Sequence, residues 1–309
     1  MSNTPKIKTL IHGRETYTVY YGDEFVLKRP LPTFGDDAKN AWLDKQHKTK
    51  NVIDCIRAIG NPLYNVPAMR FINNEEYQIL EDRAPGVPLT VDIYRTLSRR
   101  QRYEIINSLA SFLVDMNESQ PIGPAQTHKI VSELKFSRLD TFISTKMSYW
   151  FNKNEIRQMS RIRDEIASFQ YMTRLAWSHC DLNPGNVLYD ANTSKLSFID
   201  FAEAGYRFIY RDIFASLQIE LGIWKQVYDA YLKMHDKTLW QMPSAKNENL
   251  RNIMKYRLMT VVLKRFIKAS DDLRLNPQNE KGRRNNIEKV AFMREWMQYL
   301  QSLERTLQK

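Results

Sequence analysis

The sequence predicts an α+β chain of two lobes: an antiparallel β-sheet lobe with one helix over residues 1–83, and a larger, mainly helical lobe over residues 84–309. Three observations predict it. The first ~80 residues carry strand and turn signals around a single helical stretch. A Pro/Gly stretch, Ala84-Pro85-Gly86-Val87-Pro88, follows and has the composition of a hinge. Beyond it, apolar residues recur mostly at helical spacing.

Thr16-Tyr17-Thr18-Val19-Tyr20-Tyr21 is rich in β-branched and aromatic residues, Gly22-Asp23 marks a turn, and Glu24-Phe25-Val26-Leu27-Lys28 reads as the returning strand of a hairpin. Residues ~38–59 read as a helix, with Trp42, Val52, Ile56 and Ile59 partly on period, closed by Gly60-Asn61-Pro62. Two more strands, 66–72 and 77–80, flank an Asn73-Asn74 turn. After the hinge, Ser98 and Gln101 have capping-box spacing and open a helix whose Ile105, Leu109, Phe112, Leu113 and Met116 keep one face, until Pro121 and Pro124 end it. A second helix is expected over about 155–174, with Ile156, Met159, Ile162, Ile166 and Phe169 on one side. The chain is predicted helical again from ~213. There Ile287, Val290, Met293, Met297 and Leu300 form a stripe, and a loop over 276–284 precedes the last helix. Such stripes read as core.

Bulk properties narrow the function classes. The 309 residues, 43% hydrophobic and 26% charged, have ordinary globular composition. No apolar run reaches the ~18–20 residues of a membrane span, and the first residues lead into no signal-type apolar segment. Cys55 and Cys180 are the two cysteines, too few for a disulfide framework, so a cytoplasmic location is expected. The net charge of +11 is uneven: residues 213–309 hold 18 Lys/Arg against 10 Asp/Glu. A basic helical lobe could meet an anionic surface, although a solvated face explains the same charge; nucleic acid is a weaker reading.

The most informative stretch is Ser178-His179-Cys180-Asp181-Leu182-Asn183-Pro184-Gly185-Asn186-Val187-Leu188-Tyr189, followed by Phe198-Ile199-Asp200-Phe201. Asp181 is expected on a loop, where a carboxylate can orient an acceptor hydroxyl and take its proton. Asn186 begins a strand, residues 190–194 form a turn, and the returning strand ends at Asp200, which brings Asp200 back beside Asn186. Those two offer hard oxygen ligands suited to Mg2+, which shares its coordination with phosphate. A zinc site at His179-Cys180-Asp181 lacks a second ligand pair. Glu203 could be a further carboxylate of the site or a surface residue.

These loops resemble the catalytic and metal-binding loops of the aminoglycoside phosphotransferase/choline kinase superfamily, whose fold is protein-kinase-like. The resemblance extends along most of the chain. Phe25-Val26-Leu27-Lys28-Arg29-Pro30 resembles the strand with the ATP-binding lysine, Gln78-Ile79-Leu80-Glu81-Asp82-Arg83-Ala84-Pro85-Gly86 the hinge, and Tyr210-Arg211-Asp212-Ile213 the element whose aspartate braces the catalytic loop. The resemblance implies an ATP- and Mg2+-dependent kinase acting on an alcohol group. Lys28 would hold the α/β-phosphates and Asp181 would be the catalytic base. Asn186 and Asp200 would bind magnesium, His179 and Asp212 would support the loop, and backbone from Glu81 to Arg83 would meet adenine.

The departures are informative. The family pairs its lysine with a helical glutamate, but no Glu occurs between Lys28 and Glu75, so Asp44 is taken as the partner. Cys180 and Asn183 stand where protein kinases often carry Arg and Lys, and Ala202 follows Asp200-Phe201 in place of Gly. These move the reading from a protein kinase toward a small-molecule kinase. The basic helical lobe weighs against a cationic aminoglycoside, yet aminoglycoside, choline-like, sugar and glycolipid acceptors all stay open. Trp224, Tyr228, Tyr231, Trp240 and Tyr256 could stack on a sugar or sit in the core. The alternative is a catalytically weak kinase-fold binding protein whose basic lobe docks an anionic partner.

Overall fold

The computed structural model describes residues 9–11, 17–119, 127–129, 151–168, 172–208, 211–213 and 215–234, with positions 290, 291, 294 and 298. The chain divides into two compact units, one of residues 1–125 and 175–236, the other of 126–174 and 237–309. The 83/84 boundary falls inside the first unit, which holds both the sheet and the loop with Asp181.

The first unit begins with strands β1 (Thr9–Ile11), β2 (Tyr17–Tyr21) and β3 (Phe25–Pro30), helix α1 (Asp36–Ile59), and strands β4 (Tyr64–Asn65), β5 (Met69–Asn73) and β6 (Gln78–Asp82). Five strands form an antiparallel sheet in the order β1-β2-β3-β6-β5. The hairpin predicted at Gly22-Asp23 is present. Gly22 donates its N–H to Phe25 O at 2.9 Å, and a Cβ at Gly22 would stand 2.3 Å from the Phe25 ring, which would have to swing aside for any other residue. α1 starts with Asp36 and Asp37 in its first turn and stops at Gly60, in the left-handed region at φ 69°. Trp42, Leu43, Val52, Ile53 and Ile56 face inward, while Ile59 is exposed, contrary to its place on the expected stripe. The helix has turned that last position past the core before Gly60 ends it.

β7 (Val87–Pro88), α2 (Val91–Thr96) and α3 (Arg99–Glu118) follow. The capping box is real: Ser98 Oγ accepts from Gln101 N–H, and Gln101 Oε1 accepts from Ser98 N–H at 3.0 Å. Ile105, Leu109, Phe112, Leu113 and Met116 are all buried.

In the second unit, β8 (Thr127–Lys129) pairs with the Met172–Arg174 end of β9 (Met172–Ser178). Helix α4 (Lys153–Ser168) opens on Asn152, whose side chain accepts from Asn154 and Glu155 N–H while Glu155 reaches back to Asn152 N–H. Arg294 donates to Glu155 at 2.7 Å. The expected helix over 155–174 is therefore shorter, because residues 172–174 are drawn into strand pairing.

Back in the first unit, β10 (Val187–Asp190) and β11 (Lys195–Phe198) form the predicted hairpin inside the order β4-β11-β10-β7. β12 (Gly205–Phe208) pairs with the Leu175–Ser178 end of β9, and helices α5 (Ser216–Glu220) and α6 (Trp224–Met234) complete the unit. Trp224 and Tyr231 on α6 are core residues, so they are not a sugar platform. Phe112 is the centre of this core. Phe198 stacks on it at 3.7 Å, and Tyr64 meets both rings edge-on. No described helix is long and apolar enough to cross a membrane. Trp240, Tyr256, Phe169, the 276–284 loop and the last stripe apart from Val290, which is buried, lie outside the described residues.

Candidate active site

The stretch after β9 is a loop of fixed shape. Asp212, 2% exposed, accepts from His179 N–H at 2.5 Å and from Cys180 N–H at 3.1 Å. One buried carboxylate thus satisfies two buried backbone donors. This lets Cys180 hold the left-handed φ of 70°, a conformation that costs a non-glycine residue of order 1 kcal/mol or more. His179 is fully buried. Its Nε2 faces Ile199 O at 3.0 Å and its Nδ1 faces Asp181 N–H at 3.4 Å, so the tautomer with the proton on Nε2 serves both contacts. Phe201 packs against the imidazole at 4.6 Å and Phe112 lies edge-on to it at 6.2 Å. His179 therefore ties the Asp181 loop to the strand end that carries Asp200.

The loop then delivers two functional groups together. Asn183 Oδ1 accepts from Gly185 N–H at 2.8 Å, an Asx turn that needs a short side chain at that position. Asn186, 1% exposed, donates its amide to Asp181 O at 2.9 Å and to Asp181 Oδ2 at 2.8 Å. Its backbone O accepts from Ile199 N–H at 3.0 Å, continuing the register in which Val187 faces Phe198. Asp200, the next residue, sits at φ 63°. Both left-handed residues of the site, Cys180 and Asp200, stand at the two loops expected to do chemistry.

The donor set suits a hard divalent cation. With its NH2 committed to Asp181, the Asn186 amide presents Oδ1 on its opposite side, and Asp200 supplies carboxylate oxygen. Among the described residues no three His, Cys, Asp or Glu side chains gather into a metal cluster. Mg2+ is the ion this fits, since it takes one or two protein oxygens and fills the rest of its octahedron with phosphate and water.

On the sheet, Lys28 is half-buried and its partner differs from the expectation. Lys28 Nζ lies 2.9 Å from Glu81 Oε1 and 2.7 Å from Oε2. Asp44 is exposed on α1 and makes no ion pair among the described residues. The correction has a simple cause: position 44 falls on the solvent face of α1, between the buried turns of Leu43 and Gln46. The hinge reading also shifts. Asp82 N–H donates to Ala68 O at 2.8 Å and Arg83 N–H to Glu24 O at 2.9 Å, so both are committed within the sheet. The Arg83 side chain donates to Gly22 O at 3.1 Å. Glu203 pairs with Lys45 of α1 at 2.6 Å on the exposed side of the turn after Asp200, a surface contact between α1 and that turn.

The Glu81 side chain is the residue that sequence reading missed. Its signal was the two-residue alternation of β6, in which Ile79 and Glu81 share the buried face, next to the face of β3 that carries Lys28.

The model of the phosphotransferase enzyme family matches residues 6–243, more than half of the sequence, and the chain belongs to that family. Solved structures agree on the fold. The GDP complex of wild-type aminoglycoside 2'-phosphotransferase-IIIa is 13% identical, with 93% of each chain covered and a TM-score of 0.61. A choline/ethanolamine kinase family protein from Mesorhizobium loti is 14% identical over 94% of this chain and 88% of that one, with a TM-score of 0.56. Choline kinase LicA from Streptococcus pneumoniae is 12% identical over 95% and 94%, with a TM-score of 0.52. No curated protein matches the sequence.

Proposed function

We propose that the protein is an ATP- and Mg2+-dependent phosphotransferase that moves the γ-phosphate to a hydroxyl of a small molecule. One observation carries this reading: the buried Asn186 amide holds the Asp181 carboxylate at 2.8 Å, on a loop that Asp212 fixes through two backbone donors. That arrangement aims a carboxylate without neutralising it.

Asp181 accepts the proton of the acceptor hydroxyl as its oxygen attacks the γ-phosphorus; the bond from γ-phosphorus to the β–γ bridging oxygen breaks, and ADP leaves. Asn186 Oδ1 and Asp200 would hold magnesium, which when bound offsets the charge of the phosphate oxygens. Lys28 would meet the α/β-phosphates. Carbonyl oxygens of the hinge and the N–H of Ala84, the first residue past the two committed donors, would meet the base.

The test is turnover of purified protein with Mg-ATP or Mg-GTP against a panel of aminoglycosides, choline and ethanolamine, sugars and nucleosides, with products read by mass. Phosphorylated product that disappears in Asp181→Asn supports the reading. Product formation that Asp181→Asn leaves within twofold of wild type rejects Asp181 as the base, and no product with any acceptor or donor, together with no nucleotide binding, rejects the phosphotransferase.

A further inference from the structure

The carboxylate on Lys28 comes from the sheet and not from α1, and this changes what controls the lysine. The ladder sets Lys28 opposite Ile79 and Val26 opposite Glu81, so Glu81 is the diagonal neighbour of Lys28 on the same face. Both side chains are nearly out of water, at 12% and 11% exposure, and the carboxylate straddles the ammonium with both oxygens within 2.9 Å. The pair lies beside Ile79, which is fully buried. A lysine in such a place is costly to keep charged without a partner, and a strand-borne carboxylate supplies one at no cost in helix movement.

α1 offers no substitute. Its buried polar side chains, Gln46 and Thr49, are neutral, and Asp44 is on its outer face. The contact α1 does make with the site's loops is Lys45 to Glu203, on the turn after Asp200.

We infer that Glu81 is the positioning residue of the nucleotide-binding lysine, so that Lys28 is set by the register of β3 and β6 whatever the position of α1. This rests on the reading that Lys28 meets nucleotide phosphate. In such an enzyme the ammonium stays charged and aimed before nucleotide arrives, and phosphate joins Glu81 as a second anion on it. Loss of the Glu81 charge removes the carboxylate that aims the ammonium, which weakens its hold on phosphate.

The experiment is a double-mutant cycle on the full chain, with Mg-ATP affinity measured by calorimetry for wild type, Glu81→Gln, Lys28→Met and the double variant, and circular dichroism as the folding control. Glu81→Asp, with the charge kept on a shorter arm, is added in case Glu81→Gln does not fold. Glu81→Gln is expected to weaken binding about tenfold, and Glu81→Asp by less. In the Lys28→Met background, Glu81→Gln is expected to change nothing further, because Glu81 acts through the lysine. A merely structural Glu81 would weaken binding equally in both backgrounds and would overturn the inference. Unchanged or tighter binding in a folded Glu81→Gln or Glu81→Asp would also overturn it, the tighter case marking Glu81 as a competitor of phosphate. Binding by wild type with any of these results leaves the phosphotransferase reading standing; absence of both Mg-ATP and Mg-GTP binding by wild type overturns both.

Discussion

The loop that carries Asp181 and the sheet that carries Lys28 hold their key side chains by different means. On the loop, position is written into the backbone: Asp212 takes two N–H groups, His179 bridges two segments, and Asn186 is bonded to both main chain and side chain of Asp181. On the sheet, position is written into a pair of side chains, Lys28 and Glu81, across two strands whose own hydrogen bonds need neither. Backbone pinning ties the loop's function to its folding. Side-chain pinning separates them, so Lys28 can be displaced while the sheet keeps its fold. A reacting carboxylate benefits from the first, since small displacements of a base are expensive in rate. A phosphate-binding lysine tolerates the second, since an ammonium is a compact point charge.

The comparison breaks first at Asp212. Asp212→Ala strands two buried N–H groups and removes the support of the left-handed Cys180. A loss of about 2–4 kcal/mol is expected, since each unsatisfied buried group costs about 1–3 kcal/mol. Urea denaturation measures it, and Asp212→Asn, which keeps one acceptor oxygen, should fall between alanine and wild type. If Asp212→Ala unfolds at the wild-type midpoint, the loop is not held by backbone pinning and the contrast with the sheet is lost.

Gly86 tests the join between the two regions. It sits at φ 101°, and a Cβ there would stand 2.5 Å from Tyr189 O of β10. Since the obstacle is backbone, it cannot swing aside as a side-chain tip would. Gly86→Ala is expected to cost about 2 kcal/mol through strain and displaced β7–β10 pairing, as a lower midpoint in the same titration. An effect under a few tenths would mean that the hinge slides freely on the hairpin.

The contrast also explains what the sequence could reveal. Asp181, Asn186 and Asp200 were legible because the loop's chemistry, Asx turn and hairpin are all local in sequence. The Ser98 capping box and the glycine turns at 22 and 60 were legible for the same reason. Asp212 required a resemblance, since it meets His179 from 33 residues away. The pairing of the Glu81 side chain escaped because its partner is fixed by strand phase and register, and 53 residues separate it from Lys28. With no glutamate on the helix, Asp44 was the expected partner, but position 44 is one step out of phase with the buried face of α1. The extra strands β9 and β12 escaped too. Residues 172–174 fall inside the helix expected over about 155–174, and it is pairing with residues 127–129 that draws them into a strand.

The smallest expected effect bears on the aromatic packing behind the loop. Tyr64 stands edge-on to Phe112 and Phe198, and its hydroxyl donates to Asp115 at 2.6 Å. Burial raises its pKa, and the hydrogen bond and charge of Asp115 raise it further. The folded protein therefore keeps a proton that the unfolded chain releases near pH ~10. The stabilisation is fully present below that pH, and it erodes as pH climbs above it toward the folded value, by at most about 1.4 kcal/mol per pH unit. Tyr64→Phe keeps the ring contacts and should cost about 1 kcal/mol at neutral pH for the lost hydrogen bond, while removing this component of the alkaline decline. Urea midpoints for both proteins from pH 7 to 11 test this. A wild-type curve that falls above pH ~10 more steeply than the variant's is the expected result. If the loss at neutral pH instead matched that of Asp212→Ala, the Tyr64–Asp115 hydrogen bond would rank with the polar pins as what holds the loop.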